Sequence, residues 1–422
     1  MHHFEERGGV MHAEDVALTD IADAVGTPFY CYSEATIRRH MQVFRGAFGD
    51  ADMLTAYSVK ANSNLSVLTV LAQEGAGADV VSEGELRRAR AVGIPGEKIV
   101  FSGVGKTRDE MAYALGEGIH QFNVESEPEL HQLNEVALAR GAVAPIAFRV
   151  NPDVSAGAHE KISTGKAEDK FGIPWSRAHA LFAQAHRLPG IAVKAVDVHI
   201  GSQIADLAPF ETAFKKVADL VLSLRAEGIP IERVDLGGGL GIPYADGDAI
   251  PPHPDEYATM IRRIADPLGV QLIFEPGRMI VGNAGILVSQ VIFNKPGTDR
   301  RFLIIDAAMN DLLRPALYDA YHDLRAVVAR DAGDPVAYDV VGPICETGDR
   351  FARARSLPAL AAGDLVAFMS AGAYGAVQSS EYNSRPLVPE VMVKGDAFSI
   401  IRPRPDYQTI LGRDQIAPWL AP

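Results

Sequence analysis

The amino-acid sequence predicts an α/β fold joined to an all-β part: a (β/α)8 TIM-like barrel followed by an antiparallel β-sandwich or barrel-like domain. Three observations lead to this prediction. Short apolar runs alternate with amphipathic helical stretches between about residues 53 and 278, and nearly all of these runs end in polar or glycine residues. After residue 285, strand-like runs follow one another without helices of matching length. Alternating strands and helices are typical of a parallel sheet, whereas consecutive strands indicate antiparallel pairing.

The candidate barrel strands share an apolar, β-branched composition. They are Leu54–Val59, Ala78–Val81, Ile99–Phe101, Gln121–Val124, Pro145–Val150, Ala195–Ile200, Arg233–Leu236 and Gln271–Phe274. The helical segments expected between them include Asn64–Glu74, Gly84–Ala91, Lys106–Leu115 and Glu127–Ala139. This number of units favours closure into a barrel. A doubly wound open sheet is the alternative that the pattern alone leaves open.

Polar residues follow nearly every candidate strand, at the end where a barrel of this kind carries its active site. These residues are Lys60, Ser82, Ser102, Gly103, Glu125, Asn151, Gly201, Ser202, the run Gly237–Gly239 and the run Glu275–Arg278. A scaffold without a function would not require polar groups at one end of so many strands. The sequence therefore predicts a site at the carboxyl ends of the strands.

The β domain is predicted from strand candidates that follow the barrel. They are Ile286–Phe293, Phe302–Ile305, Tyr338–Val341, Asp364–Met369 and Glu390–Val393. The N-terminal segment adds one more candidate, Phe29–Tyr32, which could pair with this sheet. We therefore expect residues 33–284 to form the barrel, and residues 1–32 and 285–422 to form the β domain.

The composition limits the function classes. The 422 residues include 40 Lys and Arg against 54 Asp and Glu, and the formal net charge of −14 disfavours a nucleic-acid binder, which needs an excess of cations. Two cysteines, Cys31 and Cys345, exclude a disulfide framework and fit a reducing compartment, so we expect a cytoplasmic protein. The sequence Met1–Val10 lacks the pattern of a secretory signal, and the apolar stretch Met279–Phe293 is too short and polar to span a bilayer.

Lys60 stands directly after the first candidate strand, in the sequence AYSVKAN. A pocket at that position would favour the neutral amine, which forms Schiff bases with carbonyl compounds. A lysine that pairs with a carboxylate of a neighbouring strand is the structural alternative. The glycine run in LGGGLG, which contains Gly238 and Gly239, follows the seventh candidate strand. Barrels often bind phosphate in the loops after strands seven and eight, although a tight turn alone would need the same glycines.

Three further residues suit the same site. Glu275 closes the eighth candidate strand, where a carboxylate needs a cation or a protonated nitrogen nearby. Arg278 is either that cation or a guanidinium that donates two hydrogen bonds to an anionic group of the substrate or cofactor. His199 lies at the end of the sixth candidate strand, where an imidazole is either structural or stacks on a ring. An amine, a phosphate cradle, an acid and an imidazole together indicate pyridoxal 5′-phosphate (PLP), whose protonated ring is an electron sink for a carbanion.

Ten ordered motifs resemble the fold-type III PLP-dependent decarboxylases, which have an alanine-racemase-like barrel. They are AYSVKAN, ADVVSEGEL, FSGVGKT, FNVES, HIGSQ, DLGGGLG, EPGR, NDLLRPALYDAYH, CETGD and GAYG. The resemblance extends from about Thr27 to Val393 and is strongest to the branch that decarboxylates meso-2,6-diaminopimelate. It implies loss of the carboxylate at the D-centre to give L-lysine and CO₂, the last step of lysine biosynthesis. It also implies a homodimer whose active sites are shared between subunits.

The resemblance further implies roles for single residues of the barrel. Lys60 is expected to bind the cofactor aldehyde, and His199 is expected to stack on the ring and take part in catalysis. Glu275 is implied as the partner of the pyridine nitrogen, and Asp79 as the acid behind Lys60 and His199. The residues expected around the phosphate are Ser202, Gly238, Gly239, Gly277, Arg278 and Tyr374. Arg278 and Tyr374 are expected to contact the substrate as well.

In the β domain, the resemblance implies residues for substrate binding and for the dimer interface. Arg314 and Tyr318 are expected to bind substrate, and their spacing would put them on one face if their segment is helical. Cys345 and Glu346 of CETGD are implied to enter the site of the partner subunit. The thiol is then the proton donor to the carbanion, and the carboxylate receives the distal amine. No metal is expected.

Other functions stay open at this point. One is decarboxylation of a polyamine precursor, namely carboxynorspermidine, ornithine or arginine, and Arg314 and Tyr318 disfavour the basic amino acids. Racemisation is disfavoured by Glu275, because racemases of this fold usually place an arginine at the pyridine nitrogen. A non-enzymatic PLP-binding protein is the remaining alternative. One departure from the resemblance is Glu83, a carboxylate where a glycine is usual.

Overall fold

The protein is described from a computed structural model, in the stretches 2–154, 170–245, 247–330 and 333–420. These residues separate into two compact units. One comprises Ile37–Pro243 and Gly247–Gly282; the other comprises the residues up to Thr36, a short segment at Tyr244 and the residues from Asn283 onward. Within the described stretches, every helix is too short or too polar to cross a membrane.

The N-terminal segment contributes a small antiparallel sheet and one strand of a larger sheet. Its elements are β1 (Phe4–Arg7), β2 (Val10–Ala13), β3 (Val16–Ala17), helix α1 (Leu18–Val25) and β4 (Phe29–Ser33). Strand β2 pairs with both β1 and β3. Strand β4 is buried at every position, because it lies between two other strands of its unit.

The unit that begins at Ile37 contains a closed barrel. Its strands are β5 (Met53–Ser58), β6 (Gly77–Val80), β7 (Ile99–Phe101), β8 (Gln121–Val124), β9 (Ala144–Asn151), β10 (Ile173–Pro174), β11 (Ile191–Asp197), β12 (Arg233–Asp235) and β13 (Gln271–Phe274). The parallel order β9–β11–β12–β13–β5–β6–β7–β8 returns to β9, and the short β10 lies beside β9 outside this ring. The predicted eight-stranded barrel is confirmed, and the open sheet is excluded. The strands are almost entirely buried, as expected where helices cover the outer face.

Helices precede, connect and follow the barrel strands. They are α2 (Glu34–Ala47), α3 (Leu65–Gln73), α4 (Glu83–Ala91), α5 (Arg108–Gly116), α6 (Glu127–Ala139), α7 (Ala178–Ala185), α8 (Leu207–Ala226), α9 (Pro254–Ala265) and α10 (Arg278–Val281). The hydroxyls of Ser82, Thr107 and Ser126 cap α4, α5 and α6 by accepting hydrogen bonds from backbone N–H groups of the first turn. Ser82 is therefore a strand-end residue that serves a helix terminus. Glu83 pairs with Arg87 one turn later, at 2.6 Å.

The β domain combines the N-terminal β4 with later strands. These are β14 (Gly285–Pro296), β15 (Arg301–Ile305), β16 (Leu324–Ala326), β17 (Val336–Val341), β18 (Arg350–Leu357), β19 (Leu365–Phe368), β20 (Glu390–Lys394) and β21 (Ala397–Arg402), with helices α11 (Arg314–Tyr318) and α12 (Tyr407–Leu411). The order is β18–β17–β15–β14–β4–β20–β21, and β19 pairs with β14 and β16. The predicted pairing of the N-terminal strand with this sheet is confirmed.

The strand directions of the β domain are mixed rather than purely antiparallel. Most pairs are antiparallel, but β15 pairs parallel with β17, and β4 pairs parallel with β20. Both parallel pairs join strands that are far apart in sequence, which gives the chain length to return to the same end of the sheet. The core of this domain contains Phe29 and Cys31 of β4, Ile286 and Val288 of β14, and Val391 of β20, all without measurable exposure.

Candidate active site

Lys60 lies in a short helical turn directly after β5, and its amine contacts a buried carboxylate of the next strand. Lys60 Nζ donates to Asp79 Oδ2 at 2.6 Å, and Ser58 Oγ donates to the same oxygen at 2.6 Å. Burial by itself would raise the pKa of Asp79, but the Lys60 charge and these hydrogen bonds outweigh it and hold that pKa below its usual range. Lys60 thus forms an ion pair with a carboxylate of the adjacent strand, which is the contact that the sequence leaves open as the structural alternative. The catalytic role of Lys60 stays a prediction.

Glu275 is fixed by neutral donors from strands across the barrel. Ser102 Oγ donates to Glu275 Oε1 at 3.1 Å, and Asn123 Nδ2 approaches the same oxygen at 3.2 Å. Asn123 Nδ2 also lies 3.1 Å from Asp235 Oδ2. These four residues come from the ends of four barrel strands, so closure of the ring is what brings them together.

Four buried carboxyl groups share the barrel interior. They are Asp79, Asp197, Asp235 and Glu275. Burial and the nearby charge of Asp235 raise the pKa of Asp197 and of Glu275 well above their usual values, and burial raises the pKa of Asp235 to about 6. Oδ1 of Asp197 accepts no hydrogen bond from any residue that the structure describes. The interior therefore favours uptake of a positive charge.

His199 follows β11 and contacts the glycine turn after β12. The backbone N–H of Gly238 donates to His199 Nδ1 at 3.1 Å, so the proton of the neutral ring lies on Nε2. Burial lowers the pKa of His199 to about 3, and the charges of Arg149 and Lys60 act in the same direction. The imidazole is therefore neutral at physiological pH.

The glycine turn packs too closely against neighbouring backbone to accept side chains. A Cβ at Gly238 would lie 2.4 Å from the carbonyl oxygen of Glu275. A Cβ at Gly239 would lie 2.7 Å from the carbonyl oxygen of Gly201, and Gly239 has a φ of 115° that favours glycine. These glycines therefore have a packing requirement in addition to any anion that they bind.

Arg278 is buried in the first position of α10, directly after Gly277. Its Nη2 donates to Ser202 Oγ at 3.1 Å, and Ser202 follows β11. The barrel thus brings together two residues that the sequence assigns to one anion. A guanidinium beside a hydroxyl offers several donors to a phosphate or a carboxylate.

The predicted substrate residues of the β domain lie on and near α11. Arg314 and Tyr318 begin and end this one-turn helix, so the helix that their spacing requires is present. Arg314 is buried, and its Nη1 lies 2.8 Å from His322 Nε2. Its guanidinium lies over the Tyr244 ring, 4.6 Å from the centroid. Tyr374 is half-buried and has a φ of 57°.

Cys345 and Glu346 are exposed on the loop after β17. Glu346 accepts a hydrogen bond from the Tyr382 hydroxyl. Asp349, which is buried, holds the loop from within, because Oδ2 accepts from the Ile344 N–H at 2.6 Å. A thiol and a carboxylate are therefore presented to solvent on a loop with a fixed backbone.

Comparisons with known proteins agree with this geometry. The family described as "Pyridoxal-dependent decarboxylase, pyridoxal binding domain" matches residues 34–282. A diaminopimelate decarboxylase of Zymomonas mobilis is 48% identical over 421 residues, or 99% of each chain. One of Vibrio cholerae is 49% identical over 414 residues, or 98% of each chain. The crystal structure of diaminopimelate decarboxylase from M. jannaschii in complex with L-lysine has a TM-score of 0.94 at 36% identity and covers 99% of both chains. The chain belongs to the diaminopimelate decarboxylase family.

Membership of the diaminopimelate decarboxylase family confirms the predicted enzyme class, a pyridoxal-dependent carboxy-lyase. It also confirms the resemblance on which the single-residue roles depend. Those roles stay predictions. What the structure adds is that Lys60, Asp79, His199, Ser202, Gly238, Gly239, Glu275, Gly277 and Arg278 all belong to the barrel unit, whereas Arg314, Tyr318, Cys345, Glu346 and Tyr374 belong to the β-domain unit.

Several buried polar residues, some in the barrel unit and some in the β-domain unit, are not assigned a role from the sequence. They are Asn123, Arg149, Asp197, Asp235, His322 and Asp349. The first four lie inside barrel strands whose other residues are mostly apolar. A polar residue within a buried strand must find a partner in the barrel interior, and that signal was available. Asp349 and His322 stand in the motifs CETGD and NDLLRPALYDAYH, but the sequence does not state which backbone groups and which side chain they contact.

Proposed function

We propose that this protein binds PLP and decarboxylates meso-2,6-diaminopimelate at its D-centre, giving L-lysine and CO₂ in the last step of lysine biosynthesis. The observation that carries the proposal is that Lys60 and the raised-pKa carboxyl group of Glu275 directly follow two adjacent parallel strands of one closed barrel, with Asp79 beside Lys60. An amine, its acid and a second acid for a ring nitrogen are what a PLP enzyme must supply. Membership of a pyridoxal-dependent family supports the same interpretation.

The barrel residues fit this cofactor. A protonated pyridine nitrogen would supply the positive charge that the buried carboxyl groups around Glu275 favour. The backbone of Gly238 and Gly239 and the side chains of Ser202 and Arg278 would hold the phosphate. PLP, when bound, supplies an aldehyde for amines and a ring that accepts the electrons left at the substrate Cα.

The residues of the chain then have separate tasks. Asp79 stabilises the positive charge on the Lys60 nitrogen and orients the amine, because it is buried and only 2.6 Å away. Glu275 keeps the ring nitrogen protonated, with Ser102 and Asn123 fixing its carboxyl group. The neutral His199 offers a flat ring without a charge that would repel a protonated pyridine.

We propose that Arg314 and Tyr318 bind the distal, non-reacting end of the substrate, and that Arg278 and Tyr374 assist. A guanidinium that meets a carboxylate through two hydrogen bonds discriminates strongly against molecules without that carboxylate. This contact would favour diaminopimelate over the basic amino acids. The buried position of Arg314 supports such a role, because a desolvated guanidinium binds an anion more strongly than an exposed one.

We further propose a homodimer in which Cys345 and Glu346 enter the site of the partner subunit. Both residues are exposed on their own chain, and Asp349 fixes the loop that carries them. After CO₂ leaves, Cys345 Sγ would give its proton to the substrate Cα, while Glu346 would receive the distal ammonium group. Cys31 and Cys345 are both free thiols, and this supports a reducing compartment, the cytoplasm.

The proposed function is tested by incubating purified protein with PLP and meso-diaminopimelate and measuring CO₂ and L-lysine. We expect both products from wild type, and neither from Lys60→Ala, which should also lose the visible absorbance of the lysine-bound cofactor. Lys194→Ala is the matched control and should behave as wild type, because Lys194 is a half-buried lysine away from strand ends with its own carboxylate partner. Unchanged visible absorbance in Lys60→Ala would refute the cofactor assignment.

A substrate panel separates the other functions. Turnover of ornithine, arginine or carboxynorspermidine in place of diaminopimelate would indicate a polyamine enzyme, and inversion without CO₂ would indicate a racemase. The shared site is tested by mixing the Lys60→Ala and Cys345→Ala variants, allowing their subunits to exchange, and measuring decarboxylase activity. Complementary subunits in a dimer should recover about a quarter of wild-type activity, because half of the dimers would hold one intact site. No recovery in verified mixed dimers would refute sharing.

A further inference from the structure

We propose that His322, as a neutral imidazole with its proton on Nδ1, positions the guanidinium of Arg314 for the distal carboxylate of the substrate. The inference rests on the proposed function, in which Arg314 binds that carboxylate. His322 is a positioning residue, because it acts through Arg314.

The two neighbours of the imidazole fix its protonation. His322 Nδ1 lies 2.9 Å from the carbonyl oxygen of Met369, which can only accept a hydrogen bond. His322 Nε2 lies 2.8 Å from Nη1 of Arg314, which can only donate. The proton therefore lies on Nδ1, and the lone pair of Nε2 faces the guanidinium. A proton on Nε2 would place two donors against each other and push Arg314 away.

The surroundings hold both side chains in one arrangement. His322 is 2% exposed and Arg314 is 6% exposed. The Tyr244 ring meets the imidazole edge-on, with centroids 5.3 Å apart at 84°, and also lies beneath the guanidinium. Arg355 Nη1 donates to the backbone carbonyl of His322 at 2.9 Å. The imidazole is thus anchored through its backbone and through Nδ1, and only Nε2 is presented to Arg314.

This arrangement predicts a specific loss when the acceptor is removed. Without Nε2, Arg314 loses a charge-assisted hydrogen bond that fixes the direction of its guanidinium, so a ligand carboxylate should bind less well. A ligand with the same carbon chain but without that carboxylate should bind with unchanged affinity. If His322 served only packing, its replacement would distort the whole site and would weaken the binding of both ligands.

The test compares two ligands on the PLP-loaded enzyme by calorimetry: L-lysine, which keeps the distal carboxylate, and 1,5-diaminopentane, which lacks it. We expect His322→Phe to weaken L-lysine binding by about 10- to 100-fold and to change diamine binding by less than about twofold. His322→Gln, which can keep an acceptor opposite Arg314, should recover part of the loss. In an Arg314→Met background, His322→Phe should have no further effect on L-lysine binding.

Equal weakening of both ligands, or an undiminished effect of His322→Phe in the Arg314→Met background, would overturn the proposal. A second readout does not depend on ligand binding: NMR of histidine-labelled wild type should show His322 as the neutral Nδ1–H tautomer. Finding the cation or the Nε2–H tautomer would also overturn it. Wild type that binds L-lysine but converts no diaminopimelate would refute the proposed function, and the ligand comparison would still decide the role of His322.

Discussion

Replacing the buried Lys106 by methionine is expected to destabilise the barrel by about 3–5 kcal/mol at pH 8. Lys106 belongs to the motif FSGVGKT, and its side chain is 1% exposed. Its Nζ donates to the carbonyl oxygens of Gly103 and Asn123 and to Glu129 Oε1, each at 2.7 Å. Methionine has a similar length but no charge, so it leaves the Glu129 carboxylate and the two carbonyls without this donor.

The magnitude follows from the buried carboxylate. Burial raises the pKa of Glu129 even with the Lys106 charge opposing it, and loss of that charge should raise this pKa further. An acid whose pKa is raised by folding adds stability below its unfolded pKa and loses it as the pH rises through the folded pKa. The stability gap between wild type and Lys106→Met should therefore grow from about 1–2 kcal/mol near pH 4 to the full value at pH 8.

The assay is urea unfolding followed by the fluorescence of Trp175, which lies in the barrel unit. The chain has two tryptophans, and a Trp419→Phe background removes the other signal. Lys194→Met is the matched control, because Lys194 and Glu232 also form a 2.6 Å pair in this unit but stay 30% and 49% exposed, so it should cost at most about 1 kcal/mol.

The double variant Lys106→Met/Glu129→Gln should regain much of the loss at pH 8, since it leaves no buried charge behind. Two results would refute the reasoning: a cost for Lys106→Met at pH 8 no larger than that of the exposed control, or a cost that does not change between pH 4 and pH 8. Either result would mean that the buried Glu129 carboxylate does not need the Lys106 charge in order to stay ionised in the folded protein.

Two further predictions concern backbone at the site. Gly238→Ala should lower the melting temperature and weaken PLP binding at least about tenfold, because the added Cβ would lie 2.4 Å from the Glu275 carbonyl oxygen. The control is Gly105→Ala, which should change neither quantity because a Cβ there meets nothing within 4 Å. Asp349→Ala should lower kcat while leaving the PLP absorbance intact, because it releases the loop that carries Cys345; unchanged kcat measured under saturating substrate would contradict this.

Much of the fold could be predicted because the barrel strands are short, apolar and separated by amphipathic helices. The bounds of Ile99–Phe101, Gln121–Val124, Gln271–Phe274 and Glu127–Ala139 agree with the structure. The sixth strand is the main error, since Ala195–Ile200 was predicted and the strand is Ile191–Asp197. At the start of this strand, buried and half-buried residues alternate, and one of the half-buried residues is Lys194, so the apolar pattern is weak there. Val198 and Ile200 are apolar and buried although they lie after the strand, which moves the predicted end too far along the chain.

Residue types at strand ends were also enough to nominate the chemistry. Lys60 and Glu275 are unusual where a strand meets a loop, because a buried charge is costly there without a partner. The glycine run is a weaker indication, because close packing of the turn requires glycine with or without a ligand. For Asn123 and Asp235, which lie inside buried strands, residue type indicates that a partner is needed but does not identify that partner. Their significance depends on which strands are neighbours across the ring, and a sequence does not state those distances.

The sequence by itself determined the alternation of strands and helices in the barrel, and it predicted a change to a β domain near residue 285 and a set of groups that suit PLP. These follow from local periodicity and from residue type. Tertiary structure alone decided that ring closure gathers four carboxyl groups, that two strand pairs of the β domain run parallel, and that His322 meets Arg314. The physical reason is that burial, pKa and hydrogen-bond geometry arise between segments far apart in the chain, and they exist only once the segments are packed.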